Sequence, residues 1–337
     1  MKPYAPVLDL RQTEAAIREI KDLFQRALAE ALSLTRVSAP LFVRAGTGVN
    51  DDLNGVERPV SFEVPALGCR AEIVQSLAKW KRLALAEYGF APGEGLYTDM
   101  NAVRPDEIPD ETHSLYVDQW DWEAVIGEDQ RTLAHLERTV RRIYGAVVAV
   151  ERELGRRYPA LEPSLPDDLA FGHALELERE HPDLPPAERE SRLCERHGAA
   201  FVVGIGAPLA GGAPHDRRAP DYDDWSTPTE RGPGLNGDLL VWNPVLGRAL
   251  ELSSMGIRVD AAALRRQLEA AGCGHREGLL YHGRLLAGRL PQTIGGGIGQ
   301  SRLCMQYLRK RHIGEVQCGL WPDDARARLA AGGVALL

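Results

Sequence analysis

The strongest constraint this sequence places on its own fold is that its strands come in adjoining pairs. Residues 238–245 and 249–254 are β-leaning runs split by a short turn at Gly247, the pattern of a hairpin. Residues 60–64 alternate polar and apolar side chains, residues 71–74 suggest a strand close behind, and residues 200–206 read as a buried strand. Parallel neighbours would need a crossover of a dozen or more residues, usually a helix, between each pair. Strands that arrive as neighbours instead point to the α+β class, with a central antiparallel β-sheet flanked by helices.

The flanking helices follow from apolar spacing. Residues 13–32 place Ile17, Ile20, Phe24, Leu28 and Leu32 on one stripe. Residues 75–85 set Leu77, Trp80 and Ala84 on one side, and residues 128–154 carry a long apolar stripe from Leu133 to Leu154. Pro185-Pro186 opens a short helix to His197, and Asp260 is placed to cap a helix over 261–268. Between the first helix and the first hairpin, residues 34–43 are β-leaning but broken by Pro40, which fits an edge or the end of a strand.

Residues 292–302 (Gln-Thr-Ile-Gly-Gly-Gly-Ile-Gly-Gln-Ser-Arg) read as a glycine turn feeding a helix over 301–308. Free N–H groups at a helix start suit an anion, and Arg302 would lie beside them in the first turn. The segment is therefore either a phosphate site or a glycine turn with a solvated arginine. No Gly-Lys-Ser/Thr follows, and the dinucleotide pattern G-x-G-x-x-G fails from Gly295 and from Gly297.

With 337 residues, no repeat and no linker, the chain reads as one domain over 1–337. A net charge of −8 argues against a broad nucleic-acid-binding surface, and no run is long enough to span a bilayer. The N-terminus lacks the apolar core of a signal peptide, so a cytoplasmic protein is expected. Five cysteines without a C-x-x-C fit reduced thiols, and the Cys194/His197 pair lacks the further ligands a zinc site needs.

Three polar segments stand out. Residues 100–107 read as a loop carrying Arg104 and Glu107. Residues 113–123 read as a strand with Gln119, Asp121 and Glu123 on one face and Trp120 and Trp122 on the other, so the polar face flanks either water or a site. Residues 46–55 form a turn-rich loop whose acids Asp51 and Asp52, on their own, read as solvated. Residues 211–237 are polar and too long for an ordinary connection, while their aromatic residues argue against disorder.

Taken in order, these stretches resemble the class II aminoacyl-tRNA synthetase-like catalytic fold. The helix and strand ending at Pro40 resemble its first motif, which lies at a dimer interface. Arg104-Pro105-Asp106-Glu107 with residues 119–123 resembles the second motif, residues 295–302 the third, and residues 251–258 its acidic metal-binding strand. Residues 76–82, 117–123, 219–226 and 292–302 are more closely similar to one branch, the ammonia-dependent asparagine synthetases (aspartate–ammonia ligase, type A). The resemblance covers nearly the whole chain. It departs at Gln75, where the family's pattern has histidine, and after Pro322.

The resemblance implies ATP-dependent synthesis of asparagine from aspartate and ammonia through a β-aspartyl-adenylate, releasing AMP and pyrophosphate. It implies Arg104 on the α-phosphate and Arg302 on the γ-phosphate, with Glu107, Gly295, Gly297 and Gly299 also at ATP. Mg²⁺ would be held by Glu251 and Asp238. For aspartate it implies Lys81 on the β-carboxylate, Asp121 with Gln119 on the α-ammonium, and Arg258, Ser76 and Ser254 around the other carboxylate. Asp51 would hold ammonium and help deprotonate it. The implied partners are aspartate, ATP, ammonia and a second copy of the chain in a homodimer, with no nucleic acid and no membrane. A tRNA synthetase core would need an anticodon-binding module before the first motif, and a glutamine-using enzyme a glutaminase domain; neither is expected in this chain.

Overall fold

The computed structural model describes residues 4–53 and 57–337. The turn expected over 46–55 is thus described as far as Leu53, and its last two residues lie outside the described set, as do residues 1–3. The strands are β1 (Leu34–Arg36), β2 (Phe42–Arg44), β3 (Ser61–Val64), β4 (Cys69–Ile73), β5 (Gly95–Val103), β6 (Tyr116–Val125), β7 (Ala170–His173), β8 (Ala199–Val203), β9 (Asn236–Asn243), β10 (Arg248–Ile257) and β11 (Thr293–Gly299). The α-helices are α1 (Leu10–Leu32), α2 (Ala78–Tyr88), α3 (Leu133–Arg157), α4 (Ala174–Glu180), α5 (Pro186–His197), α6 (Ala261–Ala270), α7 (Leu280–Leu286), α8 (Gln300–Tyr307) and α9 (Asp323–Ala331).

Eight strands form one sheet in the order β1-β5-β6-β11-β10-β9-β8-β7. Its inner pairs are antiparallel, as the hairpin pattern predicts, and only the outer pairs β1/β5 and β7/β8 run parallel. The expected hairpin over 238–254 is β9 and β10. Strands β2, β4 and β3 make a second, three-stranded antiparallel sheet. The run over 34–43 is therefore two strands in two different sheets, with Pro40 in the crossing between them.

One face of the large sheet is apolar and carries α1, α3 and α8. Phe24 of α1 packs on Trp120 of β6, with ring centroids 4.7 Å apart. Trp122, Ile294, Ile298, Met255 and Ile257 continue that core beneath Val140, Ile143 and Val147 of α3. Each such large apolar side chain, buried, contributes about 1.5–3 kcal/mol. The helix α1 starts before residue 13 because Asp9 and Gln12 close a reciprocal capping box. The helix α3 starts later than residue 128: Glu128–Gln130 is a 3₁₀ turn and Thr132 caps the helix proper.

Two expectations are corrected. Met100–Val103 is not loop but the end of β5, so Arg104 leaves the sheet directly at a strand terminus. The glycine segment is not a turn at all: it is β11, fully inside the sheet between β6 and β10.

Candidate active site

The site lies on the other face of the same sheet. Strict alternation along β6 sends Trp120 and Trp122 into the core and leaves Gln119, Asp121 and Glu123 on the opposite side. On the neighbouring β11, Gly297 is paired with Asp121 and Gly295 with Glu123. None of the β11 glycines has a positive φ, so turn geometry is not what requires them. Space is. A Cβ on Gly297 would overlap the Gln119 amide, 2.8 Å from its Cδ, and a Cβ on Gly295 would overlap the Glu123 carboxylate, 2.7 Å from the Trp122 carbonyl oxygen. The glycines let the polar side chains of β6 lie across the next strand.

On the far side of β11, β10 contributes Glu251 and Ser254, three residues apart. A regular strand would turn them to opposite faces. The pairing with β9 slips between Glu251 and Ser253, and this bulge brings both onto the site face.

These strands floor a cavity of 390 Å³ lined by Gln75, Arg104, Glu107, Gln119, Arg218, Tyr222, Glu251, Ser254, Gly297, Gly299 and Arg302. Arg104 projects from the end of β5 and donates through Nη2 to the Gln75 carbonyl oxygen at 3.3 Å, while its Nε is buried without a partner. Arg302, in the first turn of α8, donates through Nη1 to the Glu251 carbonyl oxygen at 3.2 Å and sits 3.4 Å from the Glu251 carboxylate. The helix start itself is not free for an anion as expected, because the Ser301 N–H donates to Asp118 at 3.1 Å.

Several predicted residues lie beneath this cavity rather than in its wall. Lys81 is fully buried, and its three ammonium hydrogens go to Asp121, the Trp122 carbonyl oxygen and the Gly296 carbonyl oxygen, the last two at 2.9 Å. Lys81 and Asp121 are thus paired with each other, and the second carboxylate oxygen of Asp121 remains without a partner. Arg258 is likewise spoken for. Its Nε and Nη2 fork onto Glu123 at 2.9 and 2.7 Å, and Nη1 meets Asp223. Burial alone would raise Glu123, but Arg258 together with Lys81 and Thr293 holds it below the usual carboxylate range. Ser76 accepts the Ala78 N–H at the start of α2, and Gly295 backs onto Glu123, so neither reaches the cavity.

Asp51 sits just behind the wall formed by Leu53, Gln75 and Tyr222. It is not a solvated loop acid: it is 1% exposed. Its Oδ1 accepts the Leu53 N–H at 3.0 Å, the Tyr222 hydroxyl faces it, and Oδ2 has no partner. Burial and the nearby Asp221 push its carboxyl upward, against the pull of Lys79. Lys79 is itself buried and bonded to Asp221 at 3.1 Å.

Asp238 lies behind Arg218, which pairs with it. Burial and the neighbouring Glu251 and Glu190 push the Asp238 carboxyl up to about 7, with Arg218 opposing. Its Oδ1 is buried and unpartnered. Two carboxylates that repel one another beside an open polar cavity are a donor set a divalent cation would fit, provided a substrate supplies the remaining oxygens. Among the described residues no group of three or more His, Cys, Asp or Glu side chains is placed to hold a metal unaided.

Sequence reasoning overlooked Arg218, Tyr222 and Gln75. Arg218 and Tyr222 belong to the long segment over 211–237, whose aromatic and acidic residues were the available signal. Gln75 carried only the signal of departing from a pattern.

The whole chain can be set beside known proteins. The family model described as aspartate-ammonia ligase matches residues 11–332. A curated aspartate–ammonia ligase of Parabacteroides distasonis is 54% identical over 99% of this chain and 97% of its own length. Another, of Clostridium perfringens, is 56% identical over 96% of this chain and 94% of its own. Among solved structures, the asparaginyl-tRNA synthetase of Pyrococcus horikoshii complexed with asparaginyl-adenylate superposes with a TM-score of 0.69 at 17% identity, over 92% of this chain and 70% of that one. The aspartyl-tRNA synthetase of Entamoeba histolytica does so with 0.62 at 16% identity, over 90% of this chain and 58% of that one. The fold is that of the class II aminoacyl-tRNA synthetases.

Proposed function

The chain belongs to the aspartate–ammonia ligase family, and from that premise we propose how its cavity divides the work of the family's reaction. The activity is ATP-dependent synthesis of asparagine from aspartate and ammonia. The observation that carries the site assignment is the meeting, in one 390 Å³ cavity, of Arg104, Arg218 and Arg302 with the polar face of β6.

The β-carboxylate of aspartate attacks the α-phosphorus of ATP in line, forming an O–P bond as the bond to pyrophosphate breaks. Negative charge on the triphosphate must be countered for that attack. Arg104 serves the α-phosphate end and Arg302 the γ-phosphate end, with Glu107 beside them; guanidinium forks suit phosphate oxygens better than an ammonium would. Glu251 and Asp238 would hold Mg²⁺, which supplies further charge neutralisation on the phosphates when bound. Aspartate lies over Gly297, its ammonium toward Gln119 and the open oxygen of Asp121, its α-carboxylate toward Ser254. Lys81 and Arg258 act one layer below, fixing Asp121 and Glu123. Gly295 and Gly299 keep the strand close enough for this packing.

Ammonia then attacks the β-carbonyl carbon of the adenylate and AMP departs. Ammonia is mostly protonated near neutral pH, so a base is needed; Asp51 takes that proton, and its raised affinity for one suits the task. We further propose one catalytic unit over 1–337, working in the cytoplasm as a homodimer. The five free cysteines fit a reducing compartment. Exposed Leu41, Phe42, Phe62 and Leu67 beside the first-motif strand supply apolar surface for a second copy.

The test is to incubate the protein with aspartate and Mg·ATP, with and without ammonium, and follow AMP and asparagine. Asparagine and AMP in equal amounts, dependent on ammonium, are expected; no AMP under any condition overturns the reading. In the same assay Asp51→Asn spares aspartate-dependent ATP–pyrophosphate exchange and slows ammonolysis, whereas equal loss of both steps removes Asp51 from the ammonium site.

A further inference from the structure

Polar atoms buried without a partner are uncommon, because each costs about 1–3 kcal/mol. Three such acceptors belong to cavity-lining Gln75 and to residues directly joined to the lining: Gln75 Oε1, Asp51 Oδ2 on the residue bonded to Gln75, and Asp121 Oδ2 on the residue paired with Gly297. Gln75 is fully buried, yet it lines the cavity. Its amide is held in a defined direction, because Nε2 donates to the Asp51 carbonyl oxygen at 2.9 Å and Oε1 therefore points away from that bond. The backbones of the two residues are clamped together as well. A single oxygen, Asn50 Oδ1, accepts both the Asp51 N–H at 3.0 Å and the Gln75 N–H at 2.9 Å. Asp51 and Gln75 thus form one rigid unit with two unsatisfied acceptors.

We propose that Gln75 Oε1 is a second, uncharged ligand of the ammonium nitrogen, completing with Asp51 the site that binds ammonia and aims it at the adenylate. This rests on the ammonium role proposed for Asp51. An ammonium ion carries four N–H donors and needs several acceptors where water is excluded. Once Asp51 has taken a proton, its carboxylic acid holds the product less firmly, while a carboxamide oxygen, which does not change its own protonation, still accepts an N–H after the transfer. Gln75 can therefore keep ammonia in place with its lone pair free to form the new C–N bond as the C–O bond to AMP breaks. Histidine also offers one donor and one acceptor on opposite sides of a planar group, so a Gln75→His variant keeps the pattern of bonding.

The test compares Gln75→Leu, Gln75→His and Asp51→Asn in two half-reactions: aspartate-dependent ATP–pyrophosphate exchange without ammonium, and asparagine formation against ammonium concentration. For Gln75→Leu the KM for ammonium is expected to rise tenfold or more beyond any fall in exchange, with more AMP released per asparagine as water competes for the adenylate. Gln75→His is expected to restore the KM to within threefold at pH 8, where imidazole is neutral. A KM for ammonium within twofold of the parent in Gln75→Leu overturns the inference. Should Gln75→Leu lose exchange as well, Gln75→His decides: a near-parent KM supports the ligand role, and a tenfold rise with exchange intact overturns it. Asp51→Asn separates the two readings. If it leaves ammonolysis intact, the ammonium site itself is misplaced; if it impairs ammonolysis while Gln75→Leu does not, only the role of Gln75 falls.

Discussion

Gly297→Ala should injure catalysis while leaving the fold intact, and the reason can be read from what a methyl group would meet. The new Cβ overlaps Gln119 Oε1, 2.8 Å from Cδ and 3.4 Å from Nε2, all terminal atoms of a side chain that borders the open cavity. No backbone atom is among the nearest contacts, and the φ of residue 297 is one alanine adopts freely. The Gln119 amide can swing into the cavity at little cost, so the melting temperature should change by less than about 3 °C. What is lost is the hydrogen bond Gln119 makes to a charged group of bound aspartate, worth about 1.5–3 kcal/mol. At roughly 1.4 kcal/mol per decade, kcat/KM for aspartate falls about 10- to 100-fold. The assay is aspartate-dependent ATP–pyrophosphate exchange beside a thermal melt. A kcat/KM within twofold of the parent, or a melting temperature that collapses with the activity, would refute the reasoning.

Gly295→Ala behaves differently, since its Cβ meets the buried Glu123 carboxylate and the Trp122 carbonyl oxygen. Pushing Glu123 off Arg258 leaves a buried charge exposed to no partner, so chemical denaturation should register a loss of about 3–5 kcal/mol; a loss under 1 kcal/mol would count against the pairing. Arg302→Ala should raise the KM for ATP at least tenfold with the oligomeric state unchanged, and unaltered ATP kinetics would remove Arg302 from the phosphate site. Asp238 ionises near 7 in the folded chain but near its ordinary 3.8 when unfolded. Its contribution to stability is therefore complete below about pH 4 and lost as pH rises through 7, a change of up to about 4 kcal/mol. Asp238→Asn should flatten that part of the stability–pH curve, and an identical slope in parent and variant would show that Asp238 titrates normally.

Much of this was legible in the sequence because it is governed by short periods. The β6 alternation needs only residues 119–123, and the β9/β10 hairpin only its turn. Strand β11 was misread because glycine favours turns on its own account, and only the facing Gln119 and Glu123 explain four glycines inside a sheet. The opening of β5 carries no alternation of its own, since it is buried on both faces between β1 and β6. Lys81 and Arg258 could be identified as important cations, but which acceptors saturate them depends on contacts 35 to 215 residues away in sequence. The bulge after Glu251 is invisible to a period-two reading, although it alone allows Glu251 and Ser254 to face one cavity.

The distribution of unmet polar atoms gives the cavity a direction. At the inner end the open positions are all oxygens, on Asp51, Gln75 and Asp121, and these call for N–H donors. Toward the other end the unpartnered atoms include the guanidinium Nε of Arg104 and of Arg218, which call for anions, beside Asp238 Oδ1, an acceptor suited to the Mg²⁺ proposed to accompany the triphosphate. A ligand that satisfies both ends must carry ammonium groups at one side and phosphate at the other. Aspartate with ammonia, placed inward of a triphosphate, is such a set, and it puts the aspartate β-carboxylate at the boundary between the two fields. The reverse placement would set phosphate oxygens against three buried acceptors and cations against two guanidinium groups. The placement of these charged groups therefore favours one orientation, and Arg104, which donates to the Gln75 backbone from the phosphate side, marks the point where the two half-reactions meet.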